Sequence, residues 1–335
     1  MLKQAVYTAL SWSGATALAA WRHRRHAAVL MYHGVSDRAW EGVLNCERNH
    51  IRLDALSKQL RWLKENRRVL SLSRYAASLR GGEPVPERSV VLTFDDGYEN
   101  NYSLAYPLLK ELALPATFFV ATNFIERRET LWVDRLEVAF HQTRRSSLEL
   151  SGVEGRWSWN KVPERVAAYL SVKSALKKID GKSRDAAMAE ALERLDAEGL
   201  EAPPLFSPMT PAQLRELADG DLVEIGAHSC RHDVLTYLDD SLAEREIIES
   251  RAKVALLCGK QPDLFSYPNG EGGPRLAAMV ERAGYAAAVE GSLRLNPPDG
   301  VSPYRIERLA LHEDDTPALV AATVGGLRQY LMRRG

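Results

Sequence analysis

Two adjacent carboxylates, Asp95 and Asp96, stand before Gly97 and directly behind the apolar run 89–94. Neighbouring aspartates at a strand end can diverge, so that one ligates a metal while the other faces a substrate. The charge of an ion beside it would keep the second carboxylate ionised and ready to act as a base. The plain alternative is an Asp-Asp-Gly turn. His228 and His232 are four residues apart, a spacing that can put two imidazoles on one side of a helical turn to chelate a single ion. With eight histidines in the chain, the spacing alone is weak. Two imidazoles and one carboxylate leave an open site with room for water. Zinc accepts that donor set readily, and nickel or cobalt also suits nitrogen and oxygen ligands. Water held there would ionise near pH ~7 and become a usable nucleophile.

The elements that must position these groups are short apolar runs alternating with helical patterns from Ala27 onward, the mark of βα units and a parallel sheet. Strands are expected at 27–32, 69–72, 89–94, 116–121, 222–227, 264–267, 286–290 and 308–311. Their continuous apolar character suits strands covered on both faces. Leu53, Leu56, Leu60 and Leu63 repeat at helical spacing. Capping boxes are expected at Thr210 to Gln213 and at Ser241 to Glu244, and a last helix over 317–332. The fold class is therefore α/β: a distorted (β/α) barrel of seven or eight strands. Residues 126–208, rich in charge and alanine, break the rhythm and are read as a helical insertion on the barrel rim. The division is thus an apolar and basic helical segment over 1–26, followed by a barrel over 27–335.

Four polar clusters each follow an expected strand: His33, Asp95-Asp96-Gly97, His228 and Asn269-Gly270. In a parallel barrel such positions gather at one face, where the loops build the active site. That convergence carries more weight than any cluster alone.

Three ordered segments, TFDDGY (93–98), GAHSCRH (226–232) and SYPNG (266–270), resemble the first three motifs of the polysaccharide deacetylases, carbohydrate esterase family 4. The resemblance covers most of the chain from Ala27, the insertion excepted. It implies a metal-dependent hydrolase that removes acetyl groups from N-acetylated sugars. By position, Asp95 resembles the family's catalytic base, and Asp96, His228 and His232 its three metal ligands. The third motif, with Tyr267 and Asn269, resembles one wall of the substrate groove, the Asn269 backbone N–H matching a donor to the oxyanion. Gly270 would let the chain turn close to substrate.

The chain departs from the family pattern in two places. The third motif usually opens on an arginine that orients the base, and here that position is Ser266; its usual tyrosine is Asn269. Arg308, at the start of the last expected strand, is the candidate cation in the arginine's place. The general acid has two candidates. His312 sits in LALH (309–312), similar to the family's late Leu-x-His motif. His33 sits in MYHGV (31–35), which resembles the opening of a subgroup acting on exported poly-N-acetylglucosamine, and is preferred. Trp132 and Asp134, in LWVD at the start of the insertion, are candidates for the groove, with a buried anchor as the alternative for the tryptophan.

Bulk properties constrain the partners. Lys plus Arg and Asp plus Glu both total 44, so nothing draws the whole chain to nucleic acid or anionic lipid. Cys46, Cys230 and Cys258 form an odd set without CxxC spacing, which argues against a disulfide framework and a thiolate zinc site. Residues 5–21 are apolar but short and diluted for a span, with Arg22, Arg24 and Arg25 behind them. They read as a packing or amphipathic helix, with peripheral membrane contact expected and a cytoplasmic or membrane-associated site preferred over a secreted or periplasmic one. Two further readings compete: a related metal-dependent amidase opening cyclic imides or ureides, and a non-catalytic carbohydrate-binding barrel.

Overall fold

The computed structural model describes residues 13–332, together with Tyr7 and Leu10. Twelve strands are named here in chain order: β1 Ala28–Tyr32, β2 Gly34–Ser36, β3 His50–Arg52, β4 Arg68–Leu70, β5 Ser89–Phe94, β6 Ala116–Val120, β7 Ser147–Leu150, β8 Val153–Ser158, β9 Val223–Ala227, β10 Leu264–Ser266, β11 Ala287–Gly291 and β12 Ile306–Ala310. Seven of them close a parallel barrel in the order β1-β12-β11-β10-β9-β6-β5, and β5 returns to β1. β4 pairs with the first half of β5, while β6 pairs with its last two residues. Because β1 occupies the opposite edge of β5, β4 and β6 share one edge in succession. All eight expected strands are thus in this sheet, seven in the closed ring and one beside it.

Alternation along the strands sorts the side chains into two cores. Val29, Val91, Phe119, Leu264, Val289 and Ile306 pack together inside the barrel. Their strand neighbours Leu30, Leu92, Phe118, Phe265, Ala288 and Leu309 pack outward against the surrounding helices. The helix Leu72–Leu79 closes the lower end, with Tyr75 and Ala76 in the inner cluster. Its start is tied inside the barrel by Glu224, which accepts from Leu72 N–H at 3.1 Å, Ser73 N–H at 3.2 Å and Thr117 Oγ1 at 2.9 Å. Leu72 therefore begins this helix rather than ending a strand, because Ser71 caps it by accepting from Arg74 N–H.

Several local expectations are corrected. The capping box at Thr210 forms, but the helix Asp240–Cys258 is capped by Asp239, which accepts from Leu242 N–H at 2.8 Å, and not by Ser241. The helix expected over 317–332 breaks at Gly325-Gly326 into Pro317–Val324 and Leu327–Met332. The insertion is not purely helical: between the helices Trp132–Gln142 and Val162–Lys177 lies the antiparallel hairpin β7–β8. It has its own apolar core, including Leu136, Phe140, Trp159, Tyr169 and Leu192, which Val43 joins from the barrel side. The helix Ala15–Arg22 packs through Ala15 and Ala19 on Leu319, Ala322 and Leu327. Residues 5, 6, 8, 9, 11 and 12 of the segment read as a membrane-contacting helix lie outside the described residues. No described helix is long and apolar enough to cross a membrane.

Candidate active site

The upper layer of the barrel interior is polar, one step above the apolar inner core. Thr93, Ser266 and Arg308 project there from β5, β10 and β12, and Asp95 follows at the end of β5. The Arg308 guanidinium holds Asp95 in a bidentate pair, Nη1 on Oδ1 and Nη2 on Oδ2, each at 2.7 Å. Arg308 also donates to Thr93 Oγ1 at 3.1 Å and to Ser266 Oγ at 2.9 Å. Thr93 in turn donates its own hydroxyl to the Leu30 carbonyl at 2.8 Å. Burial alone would raise the Asp95 pKa, but Arg308, followed by His228 and His33, outweighs it and holds the carboxyl below its ordinary range. The cation thus reaches the base from β12, while Ser266 fills the gap between the two as a hydroxyl.

Asp96 turns the other way because its backbone is left-handed, with φ 78°, and Gly97 follows at φ 92°. A Cβ at Gly97 would lie 2.9 Å from Val120 Cγ1, so only glycine lets this turn sit on β6. Asp96 is 5% exposed, and its Oδ1 accepts no hydrogen bond. It faces His228 Nε2 at 3.5 Å and His232 Nε2 at 3.2 Å. The three ligand atoms lie within 4.8 Å of one another.

The two imidazoles do not share a helical turn. His228 ends the run of β9, and the chain then passes through Ser229 at φ 60° and His232 at φ 56°. Ser229 Oγ accepts from His232 N–H at 3.0 Å, which closes the loop and brings the ring centroids to 4.9 Å. His228 Nδ1 lies 2.8 Å from the Ser266 carbonyl, so the Nδ1–H tautomer donates there and leaves the Nε2 lone pair facing Asp96. Burial lowers the His228 pKa to about 4, which keeps the ring neutral at neutral pH. Burial would raise Asp96, yet His232, His33 and His228 together hold it low. An ionised carboxylate with an unpartnered oxygen beside a neutral, tautomer-fixed imidazole is a donor set that fits a divalent cation.

The remaining expected site residues divide. His33 follows β1, whose Tyr32 is in register with Phe94 of β5 and accepts from Asp95 N–H, so it stands at the same end of the barrel as Asp95 and Asp96. His312 lies two residues beyond β12, where its N–H donates to Asp315 at 3.1 Å and its carbonyl accepts from Gln59 at 2.8 Å. Asn269 adopts φ 59°, ψ 9° on the third-motif loop. Its Nδ2 donates to Glu271 at 2.5 Å, and its Oδ1 accepts from Lys177. A Cβ at Gly270 would come within 2.7 Å of the Gly291 backbone, so this glycine lets the loop pack on β11.

Tyr267 and Trp132 are corrected as groove residues. The Tyr267 ring is 0% exposed and its hydroxyl donates to the Tyr304 carbonyl at 3.0 Å. Trp132 is 9% exposed, packed in the insertion core with Arg184 stacked 4.8 Å from its ring. An apolar ring at the edge of an insertion is drawn into the core that the insertion must build for itself. Asp134 is likewise buried, accepting from the Tyr98 hydroxyl at 2.9 Å.

Two residues near the site escaped the sequence reading. His50 is buried against Gly34, its ring 4.5 Å from that of Tyr98, and its pKa is pushed down to about 3 chiefly by burial. Lys177 reaches Asn269 from the end of an insertion helix and acts electrostatically on Asp96. The Asn-His-Ile context of His50 gave a weak strand signal; nothing in a lysine-rich helix marks which lysine turns toward the barrel.

Comparison with known proteins agrees with this geometry. The sequence pattern described as polysaccharide deacetylase matches residues 82–288. The chain is 34% identical over 107 residues to the poly-β-1,6-N-acetyl-D-glucosamine N-deacetylase of Escherichia coli K12, a match covering 32% of this chain and 15% of that enzyme. It is 30% identical over 134 residues to the putative polysaccharide deacetylase YxkH of Bacillus subtilis, covering 37% of this chain and 44% of the relative. These curated relatives are therefore matched over less than half of their length. Among solved structures, the deacetylase PplD of Streptococcus pyogenes superposes with a TM-score of 0.58 at 16% identity, covering 89% of this chain and 98% of the other. IcaB from Ammonifex degensii gives 0.56 at 20% identity, over 90% and 97%. With its barrel, its three ordered motifs and a family match spanning most of the chain, this protein belongs to the polysaccharide deacetylase family.

Proposed function

We propose that the chain is a metal-dependent hydrolase that removes N-acetyl groups from acetamido sugars, in a polysaccharide or its precursor. The observation that carries this reading is the pairing of two sites in one barrel mouth. Asp96, His228 and His232 converge with unshared donor atoms, and Asp95 stands beside them gripped by Arg308. A carbohydrate-binding barrel would need neither. The Escherichia coli relative is named a poly-β-1,6-N-acetyl-D-glucosamine N-deacetylase, which supports that substrate class for this chain.

A divalent ion held by Asp96, His228 and His232, zinc by preference or nickel or cobalt, would polarise the amide carbonyl and acidify a water. Asp95 takes the proton from the attacking water as its oxygen adds to the carbonyl carbon. Arg308 keeps Asp95 ionised and fixes both its oxygens, so the basic lone pair is aimed rather than free to rotate. The Asn269 N–H, on the third-motif loop, is the donor assigned here to the negative oxygen. His33, at the same barrel end as both aspartates, gives its proton to the nitrogen as the C–N bond breaks, releasing acetate and a free amine. Leu18 and Trp21, 67% and 59% exposed beside Arg22, support peripheral contact with a membrane surface and a membrane-associated location.

The test is acetate release from N-acetylglucosamine oligomers by protein loaded with zinc, nickel or cobalt in turn. Release that requires the metal is expected. A failure to release acetate with every metal, while a cyclic imide is opened, would move the chain to the related amidases.

A further inference from the structure

The two ligand histidines are joined by a loop whose shape has to be imposed on it. The chain leaves His228 through Ser229 at φ 60° and arrives at His232 with φ 56°. Left-handed backbone at residues other than glycine persists only where the surroundings over-determine it. One side of the loop is tied to the end of β6 and the turn after it. His228 N–H donates to the Val120 carbonyl at 2.9 Å, and the Ser229 and Cys230 carbonyls accept from Thr122 and Asn123 N–H at 3.2 and 3.0 Å. Within the loop, His232 N–H goes to Ser229 Oγ. The N–H groups of Cys230 and Arg231, midway between the histidines, both donate to one oxygen, Glu246 Oε2, at 2.8 and 3.0 Å.

Glu246 belongs to the helix Asp240–Cys258, whose buried side includes Ala243, Ile247, Ser250 and Val254 at helical spacing. Three residues after Ala243 and four before Ser250, it stands on the margin of that side, where its carboxylate reaches the loop. Behind the loop lies a pocket of about 480 Å3, lined by Asn123, Cys230, Arg231, Glu246 and Lys253 among others. Water entering this pocket can satisfy the two N–H groups once the carboxylate is removed, but it cannot fix where they point. Glu246 therefore matters more to the direction of the loop than to the stability of the fold.

Resting on the metal-site reading above, we propose that Glu246 is a positioning residue for the metal ligands. By holding the Cys230 and Arg231 N–H groups together it maintains the turn that brings His232 Nε2 to 3.2 Å from Asp96. It acts through the backbone alone, so the position requires an acceptor oxygen of this reach and not a charge.

Zinc affinity of the full chain, measured by competition with a chelator, tests this together with the visible spectrum of the cobalt-loaded protein, which reports the geometry of the ligands. Glu246→Ala is expected to raise the Kd for zinc by about 10- to 100-fold, the usual span for losing a group that orients a metal ligand, and to alter the cobalt spectrum. Glu246→Gln keeps an acceptor oxygen and should stay within about threefold of the parent, with the parent spectrum. Ile247→Ala, at the next position and buried in the core, should lose stability in urea yet keep the parent Kd and spectrum. Parent affinity and spectrum in Glu246→Ala would overturn the proposal. So would a Glu246→Gln as weak as Glu246→Ala, or an equal loss of affinity in Ile247→Ala, which would make the effect a general loosening of the helix. A parent protein that binds neither zinc nor cobalt would remove the metal-site reading itself, and this role with it.

Discussion

Arg308 and Asp95 form a bidentate ion pair, 213 residues apart in sequence, with the arginine 0% and the aspartate 2% exposed. Removing one partner strands the other charge in a buried site, an effect of about 3–5 kcal/mol. Arg308→Met is therefore expected to lower stability by that order in urea denaturation and to abolish turnover. Arg308→Met combined with Asp95→Asn should regain most of the stability and none of the activity. A double variant as unstable as the single one would show that the pair is not the source of the loss.

The metal cluster and the base separate cleanly by measurement. His228→Ala removes the imidazole whose Nδ1 is anchored on Ser266, and should leave the protein without stoichiometric metal by elemental analysis. Asp95→Asn keeps all three donor groups and should retain the metal while kcat falls by about 100-fold or more. Full metal occupancy in His228→Ala would remove that histidine from the ligand set.

Much of this site was legible in the sequence, and for a physical reason. Four of the seven barrel strands, β1, β5, β9 and β10, lead to His33, Asp95, His228 and Asn269 at the face where chemistry gathers, so strand ends and site residues announce each other. What could not be read depends on contacts distant in the chain. Nothing local marks Arg308 as inward-facing beyond its place one step from Ile306 on β12. The histidine spacing suggested a helix, whereas left-handed residues at Ser229 and His232 make a loop that performs the same task. Strands of three residues, β2 and β3, are too short to show a period, and β7–β8 was hidden in charged surroundings. Tyr267 and Trp132 were misread because an aromatic residue near a motif fits a sugar platform and a core anchor equally well.

The choice of general acid falls to the two histidines. His33 stands beside the two aspartates at the end of β1, whose Tyr32 accepts from Asp95 N–H, whereas the backbone of His312 is built into a turn with Asp315 and Gln59. His33→Ala should lower kcat by about 100- to 10,000-fold with metal retained, the usual span for losing a positioned acid. His312→Ala should keep turnover within a few-fold of the parent. The reverse ranking would transfer the acid role to His312.

Stability should depend on pH through Glu137, a buried carboxyl of the insertion. Its Oε1 accepts from Asn45 N–H at 2.5 Å and its Oε2 from the Tyr169 hydroxyl at 2.9 Å. Burial, only partly opposed by these bonds, raises its pKa from 4.5 to about 7. A carboxyl whose folded value lies above its unfolded one binds more protons in the folded state, so its contribution is complete below the unfolded value. That contribution declines as pH rises through about 7, by about 3 kcal/mol in all at roughly 1.36 kcal/mol per unit. Glu137→Gln keeps the acceptor for Asn45 and can donate to the Tyr169 oxygen, yet it has no charge to bury. Urea denaturation at pH 5 and pH 8 should therefore show the parent losing stability at the higher pH while Glu137→Gln loses markedly less. Equal losses in both proteins would mean that Glu137 is accommodated as a carboxylate, its burial compensated by the Asn45 and Tyr169 donors.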